Sequence, residues 1–201
     1  MSFVGYLRPL VQGTKGNSRR RLPAFALAGG FVSSAVLIHA FLWIVGRSLD
    51  SVLPLSSRWL GLAIVALIIT AVDLIFGKNL RPALSWNRQT PRQAFFAFGP
   101  TRGALLWGLD TGLGFTTYRI TSLTWIGFAS AFFGIVPWWA GLLYALGFVV
   151  PILLDIFLPS RLDRGSGVYT SRLASAASPI MIVGRALVAI LAAAGFVVFF
   201  M

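Results

Sequence analysis

The chain of 201 residues has no cysteine, no glutamate and a single histidine. Without cysteine it forms no disulfide, carries out no thiol exchange, and attaches no iron–sulfur cluster, Cys-ligated zinc or c-type haem. One histidine and five aspartates build few metal sites, so a self-contained metalloenzyme is not expected. Charged residues make up only 11% of the chain. There is no low-complexity tract, no linker between folded units and no visible catalytic set. The sequence therefore predicts a protein that is not an enzyme.

What is present is apolar. Hydrophobic residues are 57% of the chain and mean hydropathy is +0.84, which signals transmembrane helices. Five apolar runs stand out: Pro23 to Val45, Trp59 to Phe76, Gly103 to Phe133, Pro137 to Phe157 and Pro179 to Phe199. The reading is an all-α integral membrane protein, one membrane domain over 1–201, with five transmembrane helices at about 23–45, 59–76, 103–133, 137–157 and 179–199. A basic start before an apolar run also suits a signal peptide. The first run is too long for that and no cleavage-type sequence follows, so an uncleaved helix is expected. Within Ser2 to Gln12, Val4, Leu7, Leu10 and Val11 are spaced for a short helix on the membrane surface.

The net charge of +12 is not spread as in a nucleic-acid-binding protein, and nucleic acid is not an expected partner. Basic residues gather in the N-terminal segment 1–22, in 77–102 and in 158–177, between apolar runs. Five passes with a cytoplasmic N-terminus put all three clusters inside and the C-terminus outside. Trp43, Trp59, Trp138 and Trp139 then fall near the outer interface as an aromatic belt. The predicted location is the cell (inner) membrane, with anionic lipid headgroups attracted to the basic cytoplasmic face.

The third run is anomalous. Its length would give a helix of about 46 Å against a hydrocarbon core of about 30 Å. It also holds the most polar stretch, GLDTGLGFTTYRITSLTW, from Gly108 to Trp125. An overlong or broken pass is expected, with the break at Gly112–Thr117, where Gly and Thr cluster.

GALLWGLDTGLGFTTYRITSLTWIGFASAF, followed by WAGLLYALGFVVPILLDIF, resembles the CcdA/DsbD-type transmembrane electron carriers. One helix of that family carries a pattern like G-x-G-W-T-P-C, matched in order by Gly112, Gly114, Phe115 and Thr116 with Phe in place of Trp. Its next helix carries Y-x-L-G-x-x-x-P, matched by Tyr144, Leu146, Gly147 and Pro151. The stretch GGFVSSAVLIHAFLWIVG and the C-terminal segment SRLASAASPIMIVGRALVAILAAAGF are similar to further helices of the family, so the likeness covers most of residues 23–200. The departures are large. Thr117 and Tyr118 stand where the family has Pro-Cys, and the family's first helix has no counterpart. Electron transfer through thiols needs a thiolate at each step. The resemblance therefore implies a CcdA-like scaffold without redox cysteines.

The candidate site residues are the polar ones inside apolar runs, because such groups at membrane depth usually face a bundle interior, a cavity or a partner. Asp110 and Arg119 are nine positions apart, on opposite faces of a regular helix, and meet only if the helix breaks between them. Arg119 lies roughly 24 Å up the helix from Gly103. Snorkelling, a partner's carboxylate and a transport role all suit it. Thr116, Thr117, Thr121 and Ser122 are expected to satisfy backbone groups freed at the break, and Tyr118 to pack. His39, mid-span in the first run, is a candidate tetrapyrrole ligand (haem or chlorin) or an interhelical hydrogen-bonding group. Asp73, Asp155 and Arg185 sit toward the cytoplasmic ends, where the carboxylates are expected to pair with Lys78, Arg161 or Arg185. Small residues, among them Gly29, Gly30, Ala192 and Gly195, permit close helix packing.

Two functions fit. One is a non-catalytic subunit or scaffold that packs against other membrane subunits and lipids. The other is a small-solute or ion transporter in which the broken third helix, with Asp110, Thr116, Thr117 and Arg119, lines a path.

Overall fold

Backbone amides surrounded by apolar side chains must bond to one another, and a helix does this within one segment. A computed structural model of the chain describes residues 21–76, 93–114, 122–157 and 166–201, without the side chains of 93–96, 155 and 166–178. Among them all regular structure is helical: α1 Leu22–Arg47, α2 Leu55–Phe76, α3 Gln93–Gly112, α4 Leu123–Phe132, α5 Ala140–Phe157 and α6 Ser166–Phe200. Three helices are long and apolar enough to cross a membrane: α1, α2 and the Pro179–Phe200 part of α6. The short surface helix expected within Ser2 to Gln12 lies outside the described residues.

The third apolar run of the sequence is two helices. α3 stops at Gly112 and the chain turns through Gly114, whose φ of 80° suits only glycine. α4 begins at Leu123 and is 10 residues long, about 15 Å at 1.5 Å per residue. It closes on a Schellman motif. Gly134 takes φ 64°, its N–H donates to the Ala131 carbonyl at 3.0 Å, and the Ile135 N–H donates to Ser130 at 3.0 Å. α3 is itself interrupted at Gly99 (φ 77°, ψ 171°), after which Pro100 opens the apolar part of the helix.

α6 is longer than its apolar run. Residues read from the sequence as part of the loop 158–177 are helical from Ser166 onward. SGVYTSRLASAAS has no proline and three alanines, so little opposes helix there. Pro179 lies within the helix, where its missing N–H leaves one carbonyl a turn earlier without its usual donor.

The contacts form two compact units, each drawn from three separated segments. The first takes its described residues from 21–38, 93–114 and 141–157. Here α1 and α3 touch backbone to backbone. Ala104, Gly108 and Gly112 recur every four residues and make one smooth stripe on α3. A Cβ at Gly108 would strike the Leu27 carbonyl oxygen, one at Gly112 would strike Phe31 and Ser34, and one at Gly30 would strike the Leu105 carbonyl. α5 completes this unit through Phe31, whose ring stacks on Phe148 with centroids 4.4 Å apart and on Tyr144 at 5.9 Å.

The second unit takes 39–76, 122–140 and 166–201. Its core is the seam between α2 and α6, with α4 packed on both. α2 buries Leu62, Ala63, Ala66, Ile69 and Asp73, one face at helical spacing. α6 offers Gly184, Val188, Ala192 and Gly195 on its own buried face. A Cβ on Gly195 would come 2.8 Å from the Ala63 methyl and 2.9 Å from the Trp59 carbonyl. The outward faces are also apolar. Leu37, Ile44, Leu74, Ile75 and Ile182 are each more than 60% exposed, a surface suited to lipid rather than water.

Candidate functional site

The buried stripe of α2 ends, in the last turn of the helix, on a carboxylate. Asp73 is 3% exposed. Burying an ion costs several kcal/mol unless charge-assisted hydrogen bonds compensate. Two other helices supply polar contacts at this point. The Ser122 hydroxyl, at the N-cap of α4, donates to Asp73 Oδ2 at 2.5 Å. The Arg185 Nη2 of α6 donates to the backbone carbonyl of Asp73 at 3.2 Å. Ser122 was expected to satisfy freed backbone groups, but it makes no side-chain capping bond; its hydroxyl goes to the carboxylate because Asp73 is the stronger acceptor. Three other helical hydroxyls bond back along their own helix. Ser34 bonds to Gly30, Thr70 to Ala66 and Ser130 to Ile126, each through the carbonyl four residues back.

A second polar group joins the α1–α2 connection to the end of α4. Asp50 accepts from Arg58 Nη1, and Arg47 Nε lies 3.5 Å from its other oxygen. The Arg47 guanidinium also covers the Trp43 ring at 4.9 Å. Gly134 sits against both partners of the main pair; a Cβ there would lie 3.2 Å from Arg58 Nη1.

His39 is 2% exposed, its ring set edgewise on Phe128 at 5.3 Å. A Cβ added to Gly127 would lie 3.7 Å from His39 Nε2.

Asp110 lies half-buried in α3, two residues after the Gly108 contact with α1. Asp155 lies in α5, its side chain outside the described set; Thr116, Thr117, Tyr118 and Arg119 are outside it altogether. Among the described residues, no three His, Cys, Asp or Glu come together to hold a metal.

The first unit holds a pocket of about 140 Å³ between α1, α3 and α5. Leu27, Phe31, Trp107, Phe148 and Leu153 line it, together with Thr111. Sequence reasoning passed over this pocket and the glycine contacts beside it. The G-x-x-x-G spacing of Gly108 and Gly112 was the available signal; Gly112 was assigned instead to the helix break at Gly112–Thr117.

No family model, curated protein or solved structure matches the chain, so its function is read from its own residues.

Proposed function

We infer that the chain is a five-pass protein of the cell (inner) membrane, with a cytoplasmic N-terminus and an outside C-terminus, serving as a non-catalytic scaffold subunit of a larger membrane complex. The observation that carries this reading is the use of its buried polar groups. Asp73 of α2 accepts from Ser122 of α4 at its buried carboxylate and from Arg185 of α6 at its backbone carbonyl, so the cluster ties helices together. The backbone-close crossing of α1 and α3 supports the same reading, since a rigid frame with an apolar exterior suits packing against other subunits. Kinship with the CcdA/DsbD carriers, stripped of the thiols, belongs to this proposal.

The interruption between Gly112 and Leu123 favours a second reading, transport, because discontinuous helices are typical of transporter sites. Asp110, Thr116, Thr117 and Arg119 would then line the path. The two readings separate on Asp110→Asn and Arg119→Gln. The native mass of the assembly extracted in mild detergent is compared with solute or ion flux in vesicles. Loss of the assembly supports the scaffold. Loss of flux with the assembly intact overturns it in favour of transport.

A further inference from the structure

Arg185 is a cation inside an apolar helix. It lies six residues after Pro179, where the apolar part of α6 begins, about 9 Å along the helix. Its side chain is partly buried beside the seam of the second unit. Nη2 donates to the Asp73 carbonyl at 3.2 Å, and Nε is enclosed with no acceptor. A guanidinium keeps its proton in a protein, so its charge must be met by an anion or by water. Asp73 does not pair with it. The Asp73 carboxylate takes the Ser122 hydroxyl of α4, and among the described residues no carboxylate forms an ion pair with Arg185.

The seam sets the depth of this charge. α2 and α6 run antiparallel along it, with Gly195 against Trp59 and Ala63 towards one end and Arg185 against Asp73 towards the other. Asp73 is three residues, about 4.5 Å, from the end of α2 at Phe76. A helical side chain leans over the turn that precedes it, for Arg185 the turn of Met181 and Ile182, again towards this end of the seam. The charge therefore sits within about one turn of the end of α2, the level at which a spanning helix meets the headgroups. On the outward side of Arg185, Ile182 and Ala189, three residues before it and four after, are exposed and apolar. A free anion would shed its water to enter such a surface. A phosphate carried on a lipid arrives with the hydrocarbon that covers it, and guanidinium is a strong phosphate donor.

We propose that Arg185 binds the phosphate of one anionic phospholipid at this end of the seam between α2 and α6, with the acyl chains along the exposed face of α6 past Ala189. The lipid supplies the counter-charge that the chain itself does not provide. This rests on the membrane reading above and goes beyond it, because a general attraction of headgroups to basic segments singles out no residue. A lipid held only by the folded seam also stabilises that seam.

The test uses the full chain. Resistance of its membranes to alkaline carbonate extraction is measured first. The protein is then purified in mild detergent and titrated with phosphatidylglycerol, with phosphatidylcholine of the same acyl chains, and with inorganic phosphate, each followed by native mass spectrometry and thermal unfolding. One phosphatidylglycerol is expected to be retained in preference to phosphatidylcholine and to raise the melting temperature. Arg185→Gln should weaken phosphatidylglycerol about tenfold and remove that rise. Arg21→Gln removes an equal charge at an exposed position outside the seam and should change neither. Phosphatidylglycerol with a photoreactive group near its glycerol should label the stretch from Pro179 to Ala189 of the unsubstituted chain, an arm that stands even if Arg185→Gln fails to fold. Equal losses in the Arg21 and Arg185 variants, labelling spread evenly over the helices, or inorganic phosphate bound as tightly as lipid overturns the site. A chain that resists carbonate but retains no lipid overturns the site alone; if Arg185→Gln then lowers the native mass of the assembly, the anion is a partner's carboxylate instead. A chain released by carbonate overturns the membrane reading and the site with it.

Discussion

Ser122 and Asp73 are 49 residues apart in sequence and 2.5 Å apart in space, hydroxyl to carboxylate, both more than 95% buried. The start of α4 is thereby fixed to the end of the α2 stripe. Ser122→Ala would leave the buried carboxylate one donor short and should cost about 1–3 kcal/mol. Replacing both, as Asp73→Leu with Ser122→Ala, should cost less than the sum of the single changes. Unfolding in detergent micelles measures the coupling. Additivity within about 0.5 kcal/mol would mean that the two residues do not act as a pair.

Adjacent glycines in α1 should respond in opposite ways. Gly29 has open space where a Cβ would go, whereas at Gly30 it would meet the Leu105 carbonyl and come 2.9 Å from the Leu109 amide. Gly29→Ala should be neutral or stabilise by up to about 1 kcal/mol through helix propensity. Gly30→Ala should force α1 and α3 apart and markedly lower the melting temperature in detergent. Equal melting temperatures for the two variants would contradict the crossing.

The seam of the second unit makes a similar prediction with a larger residue. Gly195→Leu should separate α6 from Ala63 and Trp59, with a loss of more than about 2 kcal/mol for overpacking a tight contact. Ala194→Leu, on the exposed face of the same turn, should be nearly silent. Protease resistance of the two variants distinguishes them.

Gly134→Ala should cost about 1–2 kcal/mol, because its φ of 64° is left-handed. Asp50→Asn, which breaks the neighbouring ion pair, should cost less than about 1 kcal/mol. Asp50 is 39% exposed and its attraction to Arg47 and Arg58 is screened. Raising salt should shrink the second effect and leave the first unchanged.

Much of the helix layout was legible in the sequence. The apolar runs closing at Phe76 and Phe157 end where α2 and α5 end, and the Gly and Thr cluster after Gly112 marks where α3 stops. Which side of each helix faces a neighbour was not legible. Ala66 and Ile69 are buried while Leu67 and Ile68, between them, are exposed, and all four are apolar. A helix that is apolar all round carries no hydrophobic stripe to read. Of the groups expected at Asp73, Arg185 reaches its backbone carbonyl, and Lys78 and Arg161 lie outside the described residues. The serine hydroxyl on the carboxylate was hidden for another reason: only the packing of α4 against α2 brings it there. The helical start of α6 was missed because 158–177 is basic, and hydropathy does not separate a basic loop from a basic helix.

The contact between Asp73 and Arg185 spans 112 positions of the chain. During synthesis at 5–20 residues per second, roughly 5–20 seconds pass between the emergence of one and the other. Through that interval the inner stripe of α2, carboxylate included, exists without the helix that covers it, whereas α1, α3 and α5 are complete once Phe157 has emerged, before Arg185. The nascent α2 therefore needs shelter from the insertion machinery or from a waiting partner, and substitutions along its stripe should be felt first as lost yield of inserted protein.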